Sequence, residues 1–259
     1  MASFRFHFRG SFTPDHITTA LVASTFAPPP EISTLIDRTW DEVSRRPGVN
    51  LFDGPLARLE AWRVDHGRLH LDFSRTTYKP FLGTNGRNAA AAAAHGQHAL
   101  ANGLGTSAAL ATADGHLVFG LRSPSAALYP HCAHPFGGCM EPEPPIDVFA
   151  EIRRELREEC NLADADISDL RVVALGEDIG LRQPELTFVV RAAHDLATVI
   201  ARIDPTEHHG TWVVPATPAA VAAALHDGRP MTALTRLTLL AFGGDAFGEA
   251  WFARHQAEG

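Results

Sequence analysis

Residues 154–162 read Arg-Glu-Leu-Arg-Glu-Glu-Cys-Asn-Leu, and no other stretch of the chain restricts the fold as much. At about 100° per residue, Glu155, Glu158 and Glu159 fall within roughly 100° of arc on one helix face, and Phe149, Ile152, Leu156 and Cys160 form an apolar stripe beside them. Such a helix buries one side on a sheet and turns carboxylates toward a cleft. Carboxylates spaced i, i+3 and i+4 repel by a few tenths (~0.2–0.5) of a kcal/mol per pair in a bare helix. A hard divalent cation bound through oxygen would offset that repulsion. The plainer reading is a solvated amphipathic helix laced by arginine–glutamate pairs. A Gly137-Gly138 pair lies upstream, where main chain can approach a metal or a phosphate closely.

The rest of the chain narrows the class. Its 259 residues suffice for one large domain or two small ones. A hydrophobic share of 45% with 20% charged residues fits a soluble globular protein. A net charge of −8 argues against nucleic-acid binding, which needs a basic face, but not against an anionic small substrate whose charge a metal neutralises. No apolar run is long enough to span a bilayer, and the N-terminus carries no leader pattern. Three cysteines without a framework fit a reducing compartment, so a cytoplasmic protein is expected.

Turn signals divide the chain. The expected organisation is an N-terminal α/β domain over residues 1–87, an alanine-rich linker over 88–102 that could be a surface helix, and a second domain over 103–259. In the first block, residues 4–8 predict a strand. Residues 30–45 predict a helix with Ile32, Leu35, Ile36, Trp40 and Val43 as its stripe, and 56–64 with 68–73 predict a hairpin turning at Asp65-His66-Gly67. In the second block, 106–112 and 116–122 predict a hairpin about Ala113-Asp114-Gly115. A long loop then precedes a helix over 146–160. Strands are expected over 170–177, 185–191 and 210–214, and helices over 218–225 and 231–242. The fold class is α/β of the α+β kind, a mixed sheet with helices packed on it.

Residues 135–162, from Pro-Phe-Gly-Gly through Arg154-Glu155-Leu156-Arg157-Glu158-Glu159-Cys160-Asn161-Leu162, resemble the signature of the Nudix hydrolases. That signature runs Gly, five residues, Glu, seven residues, then Arg-Glu-apolar-any-Glu-Glu-any-Gly-apolar. Its second half matches, with Asn161 for the closing Gly; Asn is the next-best residue for a left-handed helix end. Its first half departs: Gly138 to Arg154 is longer than usual and Ile146 stands where Glu is expected, so Asp147 or Glu143 is left to take that role. Three further stretches resemble the Nudix group that cleaves UDP-glucose and UDP-galactose: Leu-Phe-Asp-Gly-Pro at 51–55, Thr-Thr-Tyr-Lys-Pro-Phe-Leu-Gly-Thr-Asn at 76–85, and Leu-Gly-Thr-Ser-Ala-Ala-Leu-Ala-Thr-Ala-Asp at 104–114.

The resemblance implies a Nudix α/β/α sandwich with a mixed sheet, preceded by a smaller α/β domain. It implies magnesium-dependent hydrolysis of a UDP-sugar to UMP and sugar 1-phosphate, with Mn²⁺ as an alternative ion. It makes Glu155, Glu158 and Glu159 the metal ligands, with Glu158 and Arg154 taking part in catalysis. Glu207 or Glu185 is the candidate base or extra ligand, and Arg122 the phosphate contact. Gly138 supplies main chain, and Tyr78, Phe81 and Asn85 are candidates to hold the uracil or sugar. The expected partner is a small nucleotide sugar, with no nucleic acid or membrane, and a homodimer is left open. Rival readings are the same chemistry on ADP-ribose or a dinucleotide, or a Nudix-like regulator without catalysis. His131, Cys132, His134 and Cys139 are poorly spaced for tetrahedral zinc, and His208-His209 reads as a surface pair.

Overall fold

Period-two alternation builds the larger sheet and gives it two buried faces. The computed structural model describes residues 3–49, 51–124, 126 and 128–256. In chain order the chain forms strands β1 (Phe4–Phe12) and β2 (Ile17–Thr25), helix α1 (Pro30–Ser44), and the hairpin β3 (Pro55–Asp65) and β4 (Arg68–Thr77). A helical turn, α2 (Tyr78–Phe81), continues through a π-turn over Leu82–Gly86 into α3 (Arg87–Ala93). The second half comprises β5 (Gly105–Ala111), β6 (His116–Arg122), β7 (Ala133–His134), α4 (Val148–Cys160), β8 (Ile167–Asp178) and β9 (Gln183–Ala192). It closes with α5 (Leu196–Arg202), β10 (His208–Pro215), α6 (Pro218–Ala224), α7 (Ala233–Phe247) and α8 (Glu249–Gln256).

The larger sheet has the order β1-β8-β9-β5-β6-β10, with β7 also on β6. Only β5 and β9 run parallel among its described pairings. Leu110, Leu186, Phe188 and Val190 face one core with Ile152 and Leu156 of α4. Ala109, Ala111 and Val189 face the other, against Leu237 and Leu240 of α7 and Phe252 of α8. The result is an α+β fold with a mixed sheet between helical layers. The smaller sheet, β2-β4-β3, adds Leu69, Leu71 and Phe73 to the α4-side core.

The division expected at residue 87 does not hold for the first strand. Phe4 and Phe12 are buried and β1 lies along β8, so the N-terminal strand closes an edge of the larger sheet. The alanine-rich segment is packed: Ala92, Ala99 and Leu100 bury against Ile32 and Ile36 of α1. Among the described residues, no helix is long and apolar enough to cross a membrane.

What positions the site is a splay between β5 and β6. These strands pair only at Leu110–Val118 and Ala111–Leu117, and the segment 133–140 runs into the gap. Ala108 N donates to Phe136 O (2.8 Å), Thr106 N to Gly138 O (2.8 Å) and Met140 N to Leu104 O (2.8 Å). Ala57 N of β3 then donates to Met140 O (2.7 Å), so one extended segment carries the Gly-Gly pair into the large sheet and joins it to the small one.

Candidate active site

Helix α4 starts and stops where its sequence dictates. Asp147 caps it, accepting from Phe149 N (2.8 Å) and Ala150 N (3.2 Å), and Asn161 ends it in the left-handed conformation at φ 48°. The two glycines beneath it do different things. Gly137 has φ +140°, and a Cβ there would meet Thr106 O at 2.0 Å, so only glycine fits against β5. Its N–H donates to Glu159 Oε2 (2.8 Å). At Gly138 a Cβ would lie 2.3 Å from Glu155 Oε1, so the missing side chain is the space the Glu155 carboxylate occupies.

Arg154 gathers the remaining carboxylates of the helix. It donates to Glu151 Oε1 (2.5 Å), Glu155 Oε1 (2.6 Å) and Glu158 Oε2 (2.6 Å). Glu151, buried on the same helix, is the carboxylate that steadies this arginine. Asp147 is committed to the cap and Glu143 is exposed, so neither takes that role. Burial, outweighing the attraction of Arg154 and helped by Glu159, Glu151 and Glu158, pushes the Glu155 carboxyl up to about 8.

These groups open onto a cavity of about 360 Å³, within the range of small-molecule sites. Glu155, Glu159, Glu207, Arg122 and His134 line it. Tyr78, Phe81, Leu128, Tyr129, Gln183 and Glu185 also line it. Glu207 opens onto the mouth, and partial burial with the nearby Glu159 raises its carboxyl above the usual range. Arg122 is oriented by donating its Nε to Leu128 O (3.1 Å). Glu185 is 2% exposed; Ser107 donates to its Oε1, while Oε2 is buried without a hydrogen-bond partner. Burial pushes Glu185 up to about 8, so it holds its proton at neutral pH and suits hydrogen-bond donation better than proton abstraction.

Of the residues expected in the site, eight line this cavity: Glu155, Glu159, Glu207, Glu185, Arg122, Gly138, Tyr78 and Phe81. Three do not. Glu158 is exposed and tied to Arg154, and Arg154 lies behind the carboxylates rather than on the wall. Asn85 is buried and structural: its amide donates to Leu181 O (3.2 Å) and Arg182 O (2.9 Å), and its oxygen accepts from Asn102 N (2.9 Å).

Two histidines lie beside these carboxylates that the sequence did not place in the site. His208 is buried, not on the surface, with Nε2 3.5 Å from Glu159 Oε1. His134 meets Thr232 Oγ1 at 3.0 Å, and the surrounding bonds fix its tautomer. Thr235 Oγ1 donates to Ala133 O, which can only accept; the 2.9 Å contact between the two threonines is then filled by the Thr232 hydroxyl, leaving Thr232 to accept from His134 Nδ1. Burial, with Arg122 and His208 adding, keeps His134 neutral, so its Nε2 carries the lone pair.

No protein-family model matches the chain, and no curated protein matches it at a significant level. Among solved structures it is similar, over 53% of its length and 80% of theirs, to DR0079 from Deinococcus radiodurans, with 20% identity and a TM-score of 0.42. Over 55% of its length and 94% of the other chain it is similar to the MutT protein from Methanosarcina mazei Go1, with 16% identity and a TM-score of 0.39. A third similarity is to the Bacillus subtilis pyrophosphohydrolase BsRppH, over 57% of this chain and 84% of that one, with 11% identity and a TM-score of 0.35.

Proposed function

We propose that the protein is a Nudix-type hydrolase that cleaves the diphosphate bond of a nucleoside diphosphate sugar, with a UDP-sugar as substrate. One observation carries the reading: Glu155 and Glu159 from a single helix and Glu207 from a distant loop converge on one cavity that also holds Arg122. Three carboxylates lining one cavity, one of them with its carboxyl pushed up to about 8, are a donor set suited to a divalent cation, and Mg²⁺ takes oxygen ligands of this kind. Glu155, Glu159 and Glu207 would hold it. Bound there, a divalent ion would supply Lewis-acid polarisation of the phosphoryl oxygens and would lower the pKa of a coordinated water.

The chain's own residues do the rest. Arg122 pairs with a non-bridging phosphate oxygen, a contact suited to its planar fork. Gly137 N–H holds one Glu159 oxygen in place, so the carboxylate does not swing as charge develops. Water forms the new bond to phosphorus, the bridging P–O bond breaks, and the water proton passes to Glu207 at the mouth. Products are a nucleoside monophosphate and a sugar 1-phosphate. On the same lining, Tyr78 offers a ring for stacking, and Gln183 with the protonated Glu185 offers polar groups to the base or sugar.

The test is a substrate panel of UDP-glucose, UDP-galactose, ADP-ribose and a dinucleoside diphosphate, scored by released phosphomonoester with Mg²⁺ and with chelator. UMP from the UDP-sugars, abolished by chelator, is expected. ADP-ribose turnover with UDP-glucose untouched would sink the UDP-sugar assignment, and no turnover of any member would sink the hydrolase reading.

A further inference from the structure

His208 is 6% exposed, and neither of its ring nitrogens makes a hydrogen bond. A buried imidazole left unpaired on both sides is rare in native proteins and calls for an explanation. The pocket is shaped around this ring. A Cβ on Gly120 would lie 2.3 Å from His208 Nδ1, so only glycine at that position of β6 leaves room for it. Phe136 packs edge-on against it, with centroids 5.1 Å apart and an interplanar angle of 88°. With Nδ1 held over Gly120, the nearer nitrogen to Glu159 is Nε2, 3.5 Å from Oε1. That oxygen is the one left over, since Gly137 N–H takes Oε2. One ligand atom from each of Glu159, Glu207 and His208 lies within 4.8 Å of the other two.

We infer that His208 Nε2 is a nitrogen ligand in the divalent-metal site, beside Glu159 and Glu207, and that the site therefore prefers a first-row transition ion such as Mn²⁺ or Co²⁺ to Mg²⁺. This rests on the metal-dependent reading above and specifies its ion. Beside the carboxylates, an imidazole nitrogen adds a ligand atom without adding negative charge. Mg²⁺ gains little from an imidazole, whereas Mn²⁺ and still more Co²⁺ gain from nitrogen. The hydrogen bond from Gly137 orients Glu159, and the packing of Gly120 and Phe136 orients His208, the kind of outer support that metal ligands require.

The experiment loads the metal-free full-length protein with one equivalent of Mn²⁺ and records electron spin-echo modulation from directly bound ¹⁴N. Nitrogen coupling is expected in the wild type and in His134→Gln, and is expected to vanish in His208→Gln. His208→Gln should also weaken Mn²⁺ binding at least tenfold while changing Mg²⁺ binding less than threefold. A nitrogen-free wild-type spectrum overturns the inference, as does coupling that survives in His208→Gln or disappears in His134→Gln. If His208→Gln does not fold, the wild-type and His134→Gln spectra still decide the matter. The readout does not depend on turnover: nitrogen coupling without UDP-sugar hydrolysis would refute only the substrate reading, and hydrolysis without coupling only the role of His208.

Discussion

Gly138→Ala separates the catalytic geometry from the fold. The added methyl would sit 2.3 Å from Glu155 Oε1, where ordinary contact begins at 3.4 Å, so the carboxylate has to retreat by roughly 1 Å. The displaced atoms are the end of a flexible side chain, and Gly138 itself has no left-handed φ, so the backbone is not strained. The stability cost falls at the low end of overpacking changes, about 1 kcal/mol, which corresponds to a fall in melting temperature of about 2–4 °C for a chain of this size. The catalytic cost is larger, because a ligand or positioning group misplaced by ~1 Å loses about 100-fold in rate, or ~2.7 kcal/mol of barrier. UMP release from UDP-glucose at saturating Mg²⁺, paired with a thermal melt, measures both. A near-normal rate with an unchanged melt would mean that Glu155 does not serve the site, and a collapsed melt would mean that its packing, not its chemistry, matters at that position.

Glu159→Gln removes a charged ligand while keeping its shape. It should lower turnover by at least about 100-fold with little change in circular dichroism, and a rate within a few-fold of wild type would take Glu159 out of the metal site. Asn85→Ala should act on stability, because it unpairs Leu181 O, Arg182 O and Asn102 N. A loss of about 2–4 kcal/mol in a urea melt is expected, and an intact melt with a raised KM would restore Asn85 to the substrate. The pH dependence has a definite sign. Folded Glu155 and Glu185, pushed up to about 8 by burial, keep protons that the unfolded chain releases near 4.5. Their contribution is therefore full below that lower value and is lost as pH rises toward 8. Glu177 behaves oppositely: burial raises it, but bonds from His7, Arg5 and Arg182 win and hold it at about 2, so its contribution fades only as pH falls from the unfolded value toward 2. The melting temperature of chelator-treated protein should drop between about pH 5.5 and pH 8.5, less so in Glu185→Gln, and a rise over that interval would contradict the assignment.

Local signals were legible where short-range chemistry decides. Asp65-His66-Gly67 predicts the β3–β4 turn, and His66 and Gly67 both have positive φ. Asn161 closes α4 in the left-handed conformation its side chain tolerates. Strand β2 was missed because its partner β4 lies more than forty residues away, with no turn between them to announce the pairing. Helical spacing groups Glu158 with Glu159, but which of them faces the cavity depends on how α4 seats on the sheet. His208 follows Glu207 in a polar stretch and looks solvated; its burial comes from the β10–β6 register, which lays it over Gly120. The pairing of Arg154 with Glu151 and Glu158 is legible from helical spacing, since i, i+3 and i, i+4 neighbours share a face, and both ion pairs form.

The most direct measurement is the anomalous-scattering map of a crystal grown with Mn²⁺ and UDP. A peak within coordination distance of Glu159 and of a UDP phosphate oxygen, in the cavity beneath α4, is the result the account requires. Manganese bound elsewhere, or a nucleotide seated away from Glu155, Glu159 and Arg122, would contradict it.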